Sequence, residues 1–204
     1  INFWCDQSES RAVHTPEVRP TMPDQRTPLN TSNRDNETIP AIVGLNHFAW
    51  RCRDAEETRH FYEDILGLPL VHTIALDHVP STGEFNPYMH LFFQMKNGSC
   101  IAFFDLGDGG QYTPDPETPN WVNHFAFEVD TIKEVQSMKQ RLLSEGVKVI
   151  GPTDHGFIQS IYFFDPNNLR LEITCNTATE DETKAYADRA HEHLRKWLAE
   201  NPKS

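Results

Sequence analysis

Apolar positions along residues 42 to 176 change period several times, and the changes come in the same order twice. Val43 to Arg51 alternates as a strand does. Asp54 then opens a helix, with Glu57 three residues on as a capping-box partner, and Gly67 ends it. Phe61, Tyr62, Ile65 and Leu66 recur at helical spacing and mark the buried stripe. Strand-like runs follow at Leu70 to Leu76, Met89 to Met95 and Cys100 to Leu106. Gly107 to Asn120, with three glycines and three prolines, reads as a linker. The order then restarts. Trp121 to Val129 is a strand. Thr131 with Glu134 makes a second capping box, for a helix carrying Val135, Met138 and Leu142, and Gly146 closes it. Further strands are expected at Val147 to Ile150, Ser160 to Phe164 and Leu169 to Cys175.

The order is βαβββ, twice, and the first strands of the two copies share a sequence. Leu45-Asn46-His47-Phe48-Ala49-Trp50 answers Val122-Asn123-His124-Phe125-Ala126-Phe127. An internal repeat at the same place in two copies of one element order sets the architecture. The expectation is an α+β fold of two tandem modules, 41 to 108 and 121 to 176, whose eight strands form an incomplete barrel. An irregular, proline-bearing arm over 1 to 40 precedes the domain, and 177 to 204 forms a helical tail with Tyr186, Ala190, Leu194 and Trp197 on one side. The chain does not begin with Met, and Met22 could be the native start.

Alternation places the chemistry. In a strand, every second side chain shares a face. His47 lies with Leu45, Ala49 and Arg51, opposite Phe48 and Trp50. His124 lies with Val122, Ala126 and Glu128, opposite Phe125 and Phe127. Glu172 lies with Arg170 and Thr174, opposite Leu171 and Ile173. The apolar sets suit helices, so His47, His124 and Glu172 fall on the other face each time. Two imidazoles and a carboxylate with open positions suit Fe(II), and accept Mn(II), Ni(II) or Zn(II).

Composition narrows the partners. The formal charge of −12 over 204 residues disfavours nucleic acid and anionic lipid surfaces. No apolar run reaches the roughly 20 residues a bilayer demands, and no secretory leader is read at the N-terminus. Cys5, Cys52, Cys100 and Cys175 form no C-x-x-C pair and mostly sit in apolar runs, which suits free thiols and a cytoplasmic protein.

Residues 42 to 176 resemble the vicinal oxygen chelate superfamily, which unites glyoxalases, bleomycin resistance proteins and dioxygenases. Within it they are most similar to type I extradiol ring-cleavage dioxygenases. The residues carrying this are Thr153-Asp154-His155, then Ile161-Tyr162-Phe163-Phe164-Asp165-Pro166-Asn167-Asn168, then Leu169-Arg170-Leu171-Glu172. Asn168 departs from the family's Gly or Pro, but asparagine tolerates the left-handed backbone required there. The resemblance implies that His47, His124 and Glu172 bind iron, that His155 is an acid or base, that Tyr162 bonds the diolate, and that His90 lines the site. It implies a catecholic substrate and O2. Two other chemistries use the same fold: a glyoxalase-like isomerase and a fosfomycin-resistance-like transferase. The isomerase needs a fourth carboxylate where this chain has Ala102. A binding protein without catalysis is the third alternative. The arm and tail offer contact surface, so a homo-oligomer, first of all a dimer, is expected.

Overall fold

The computed structural model describes residues 42–110 and 112–202. The arm, with Met22 and Cys5, lies outside them. The two expected modules are present. The first is β1 (His47–Cys52), α1 (Ala55–Arg59), β2 (Leu70–His78), β3 (Phe85–Gln94) and β4 (Cys100–Asp105). The second is β5 (His124–Glu128), α2 (Ile132–Ser144), β6 (Ile150–Asp154), β7 (Ile158–Phe164) and β8 (Arg170–Asn176), followed by α3 (Glu180–Glu200).

Among the described residues the eight strands form two four-stranded sheets, ordered β1-β4-β3-β2 and β5-β8-β7-β6. In each, the module's first strand runs parallel to its last, and the other pairs are antiparallel. The repeat in the sequence is thus a repeat of topology.

Three local expectations are corrected. The first helix is not α-helical throughout: after Arg59 it runs on as a π-helix, His60–Ile65. Both capping boxes are only half formed. Asp54 accepts from the Glu57 amide at 2.7 Å, while the Glu57 carboxylate turns away to Arg53. Thr131 accepts from the Glu134 amide at 3.2 Å, and the Glu134 carboxylate bonds the Thr131 hydroxyl instead of its amide. The strand expected at Val147 to Ile150 begins only at Ile150. Val147 and Val149 pack against the core before the strand starts, and the strand itself holds Gly151 and Pro152. Proline is tolerated because β6 is an edge strand with no ladder bond to lose on its open side.

One hydrophobic core serves both modules. The Tyr62 ring, on the π-helical stretch, lies 5.4 Å from that of Phe93 and 4.7 Å from that of Phe103, on the first sheet. The ring of its neighbour Phe61 lies 6.3 Å from that of Phe163, on the second. Leu142 and Val135 of α2 are fully buried in the same cluster. Both sheets therefore turn their apolar faces inward, with the helices between them.

Two polar clasps tie the modules. Asp165, in the β7–β8 turn, accepts from Tyr62 Oη at 3.0 Å and from the Asn167 and Leu169 amides at 2.8 and 2.7 Å. Asn167, itself fully buried, accepts from the Arg53 amide at 2.9 Å and donates to Thr58 at 3.2 Å. Asn168 takes the left-handed conformation expected of it, with φ at 64°. Arg141 of α2 forms the second clasp, donating to the Ile65 carbonyl at 2.6 Å and to the Asp64 carbonyl. Burial pushes Tyr62 well above the usual phenol range, so it stays a donor, and raises Asp165 as well.

Cys52, Cys100 and Cys175 are free and buried, as expected. No helix among the described residues is long and apolar enough to cross a membrane.

The Asp165 clasp gives a stability test. Asp165→Ala strands a buried tyrosine hydroxyl and two buried amides, and should cost about 3 kcal/mol. Tyr62→Phe removes one donor and should cost about 1 kcal/mol. Urea unfolding midpoints check the order. Equal effects would show that the turn does not depend on the carboxylate.

Candidate metal and substrate site

The first sheet presents His47 and His90 on the face turned away from the core. Phe48 and Trp50 point inward, while His47 and Ala49 are exposed. His90 is only 7% exposed, stacked on Phe104 with ring centroids 3.7 Å apart and close to Phe92 at 4.1 Å. Burial, with His47 and His72 adding, lowers its pKa to about 4, so the ring is neutral at physiological pH. Its Nε2 is buried with no hydrogen-bond partner. His47 packs edge-on to Phe92 at 5.4 Å, with its ring 6.2 Å from His90. Leu91 and Phe93, alternating with His90 and Phe92 along β3, turn into the core.

The second sheet gathers four of the expected residues. His124 Nε2 lies 3.1 Å from Glu172 Oε2. Glu172 is buried, and its Oε1 has no partner. Tyr162 stands across the ladder from Glu172, with its ring 6.2 Å from that of His124. Its hydroxyl is 2.7 Å from His155 Nε2. Burial raises the Tyr162 pKa, and the Glu172 carboxylate adds to this, so the phenol holds its proton. Arg170 lies over the Tyr162 ring at 4.6 Å and steadies its plane.

Both histidines expected to bind metal are oriented alike. His124 Nδ1 is 3.0 Å from the Val122 carbonyl, and His47 Nδ1 is 2.7 Å from Asn46 Oδ1. An acceptor at Nδ1 places the proton there and leaves the Nε2 lone pair free, the arrangement a metal-binding imidazole requires. The separation of His124 Nε2 and Glu172 Oε2 also fits. Two ligands each about 2.1 Å from one ion at a right angle stand about 3 Å apart. The unpartnered Oε1 leaves this pair one further oxygen donor.

The six expected residues thus fall into two groups. His124, Glu172, Tyr162 and His155 lie together; His47 and His90 lie together on the other sheet. Among the described residues no three His, Cys, Asp or Glu side chains converge as a metal-holding group.

Sequence reasoning missed the work of Asn46 and Arg170. It also missed a cleft of about 390 Å³ where the linker covers the first strands. Phe48, Trp50, Tyr112 and Phe125 form its aromatic lining, and His124 and Arg170 also border it. The linker reads only as Gly- and Pro-rich, and nothing in that signal marks Tyr112 for the 5.0 Å packing it makes with Trp50.

Several known proteins resemble this chain. A biphenyl-2,3-diol 1,2-dioxygenase from Rhodococcus globerulus is 25% identical over 143 residues, covering 70% of this chain and 68% of its own length. A second such enzyme from the same organism is 28% identical over 99 residues, covering 44% of this chain and 52% of its own. A glyoxylase/bleomycin resistance protein/dioxygenase domain from Frankia sp. EAN1pec superposes with a TM-score of 0.55 at 17% identity, covering 67% of this chain and 99% of that one. A point mutant of the fosfomycin resistance protein FosX from Listeria monocytogenes, complexed with Mn(II) and 1S,2S-dihydroxypropylphosphonic acid, gives 0.51 at 21% identity, covering 70% and 98%. At those identities the two structures speak for the fold. The sequence pattern of one family spans residues 44–173, from before β1 into β8, and takes in every residue of the two groups. On that match the chain belongs to the glyoxalase/bleomycin resistance protein/dioxygenase superfamily.

Proposed function

We propose that this chain is a metal-dependent extradiol-type dioxygenase that opens the ring of a catecholic substrate with O2. His47, His124 and Glu172 hold Fe(II) in this reading; Mn(II), Ni(II) and Zn(II) would satisfy the same donors. The observation that carries it is the bonded pair His155–Tyr162 beside the His124–Glu172 ligand pair. Isolated metal binding needs no such pair, whereas a diol that must lose protons does.

Iron, when bound, supplies the redox step between the diol and O2 and draws the diol oxygens into ionised form. The remaining work falls to side chains. His155, within hydrogen-bond reach of Tyr162, takes a hydroxyl proton from the substrate and later returns one to the opening ring. Tyr162 keeps its own proton and donates it in a hydrogen bond, to His155 or to a substrate oxygen. Arg170 holds the phenol ring in place. On the first sheet, neutral His90 packs into a wall with Phe92 and Phe104, its Nε2 buried without a partner. That wall suits the face of an aromatic ring. The relationship to the Rhodococcus enzyme supports the same substrate class.

Oxygen uptake tests the reading. After anaerobic loading with Fe(II), a panel of catechols should include at least one that drives uptake in equal proportion to its loss. Metal-loaded protein that consumes no O2 with any catechol would favour the isomerase or transferase alternative.

Two variants separate metal binding from proton transfer. Glu172→Ala removes the charged ligand and should lose both metal and activity. His155→Ala should keep its metal content while turnover falls roughly 10² to 10⁴-fold, the usual worth of a positioned acid or base. KM should change less than kcat. Loss of metal from His155→Ala would make His155 a ligand.

A further inference from the structure

The cleft beneath the linker has no part in the proposed chemistry. Its volume of about 390 Å³ lies near the lower end of small-molecule pockets and suits one small ring system. One wall is aromatic. The Trp50 ring centre lies 5.4 Å from that of Phe48, 5.0 Å from that of Tyr112 and 5.5 Å from that of Phe125. Phe48 and Trp50 come from β1, Phe125 from β5 and Tyr112 from the linker. Such a surface takes the face or edge of a flat ring. Two of the lining residues also carry donors with nothing to receive them. Trp50 Nε1 and Arg170 Nε are both buried without a hydrogen-bond partner. Among the described residues no carboxylate pairs with Arg170, whose guanidinium lies over the Tyr162 ring.

We infer that the cleft is a binding site for a small aromatic carboxylate, its ring held among Phe48, Trp50, Tyr112 and Phe125 and its carboxylate by Arg170. The class of ligand follows from the lining. Buried donors left unpaired are costly, so the occupant must bring acceptors. A guanidinium asks for an anion, and its planar fork matches the two oxygens of a carboxylate. The Tyr162 ring beside Arg170 offers charge attraction but no acceptor oxygen, so it leaves that demand unmet. Asp115, an acidic side chain on the lining, is engaged in its own turn. It accepts from the Glu117 amide at 3.0 Å and from the Thr118 hydroxyl at 2.8 Å, and these bonds lower its pKa. It is exposed, and water and salt screen its repulsion of an anion.

The site adjoins the proposed catalytic face. Arg170 stands opposite His124 in the β5–β8 ladder, and it steadies the phenol of Tyr162. A carboxylate held by Arg170 therefore touches the side chain that positions the acid–base pair, and occupancy of the cleft reaches that pair. The binding itself needs no metal and goes beyond the dioxygenase reading.

Titration of the full chain with benzoate, followed by NMR of the tryptophan indole N–H groups, tests this. The Trp50 signal is identified by its loss from Trp50→Phe. It should move saturably as benzoate is added. Benzamide, with the same ring and no charge, should bind roughly 10- to 100-fold more weakly, the worth of a hydrogen bond to a charged group. Arg170→Gln should weaken benzoate by a similar factor and leave benzamide unchanged, whereas a collapsed cleft would weaken both. EDTA should alter neither affinity. A Trp50 signal unmoved by benzoate, equal affinity for benzoate and benzamide, or full benzoate affinity in Arg170→Gln overturns the inference. Loss of benzoate binding in EDTA also overturns it, because the carboxylate was then held by a metal ion. The comparison of benzoate with benzamide needs no variant, so it decides the matter even where Arg170→Gln does not fold.

Discussion

Everything in this fold depends on two sheets sharing one set of helices as their core. Successive side chains on a helix diverge by roughly a quarter turn. Phe61 and Tyr62, adjacent on the π-helical stretch, therefore face different sheets while both stay buried in one layer. Asp165 and Asn167 then fasten the second module's turn to the first module through Tyr62, Thr58 and the Arg53 amide. The packing settles which surfaces remain available for chemistry. With the apolar faces consumed, the polar faces look out, and the ligand residues look out with them.

How much of this the sequence foretold follows from what alternation can and cannot say. The shared Asn-His-Phe-Ala motif revealed both modules and put His47, His124 and Glu172 on the faces turned from the helices, where they are. Asn168 was rightly allowed its left-handed backbone. The pairing of His155 with Tyr162 was reachable through family resemblance, since His155 lies in the turn that leads into the Tyr162 strand. Alternation assigns a side chain to a face, but it does not say which face meets which. The grouping of His124 with Glu172 apart from His47 is a matter of how modules pack, and that lies in contacts such as Phe48 with Phe125. The late start of β6 was hidden because Val147 and Val149 are apolar for packing, without being in a strand.

The site's electrostatics are arranged around neutrality. His90 is kept uncharged by burial, and Tyr162 keeps its proton. Glu172 is buried at the centre with one oxygen bare. A buried carboxylate with a vacant oxygen is costly unless a cation or proton meets it. In the proposed reading a divalent ion would answer that need, with neutral neighbours around it. The aromatic surfaces around His90 suit a planar ring, and Arg170 steadies the phenol of Tyr162.

The measurement closest to the central claim is a crystal structure of the protein grown with its divalent ion bound. The account predicts one ion held by Nε2 of His47, Nε2 of His124 and the carboxylate of Glu172, each about 2.0 to 2.2 Å away. An ion bound by His124 and Glu172 without His47 would contradict it.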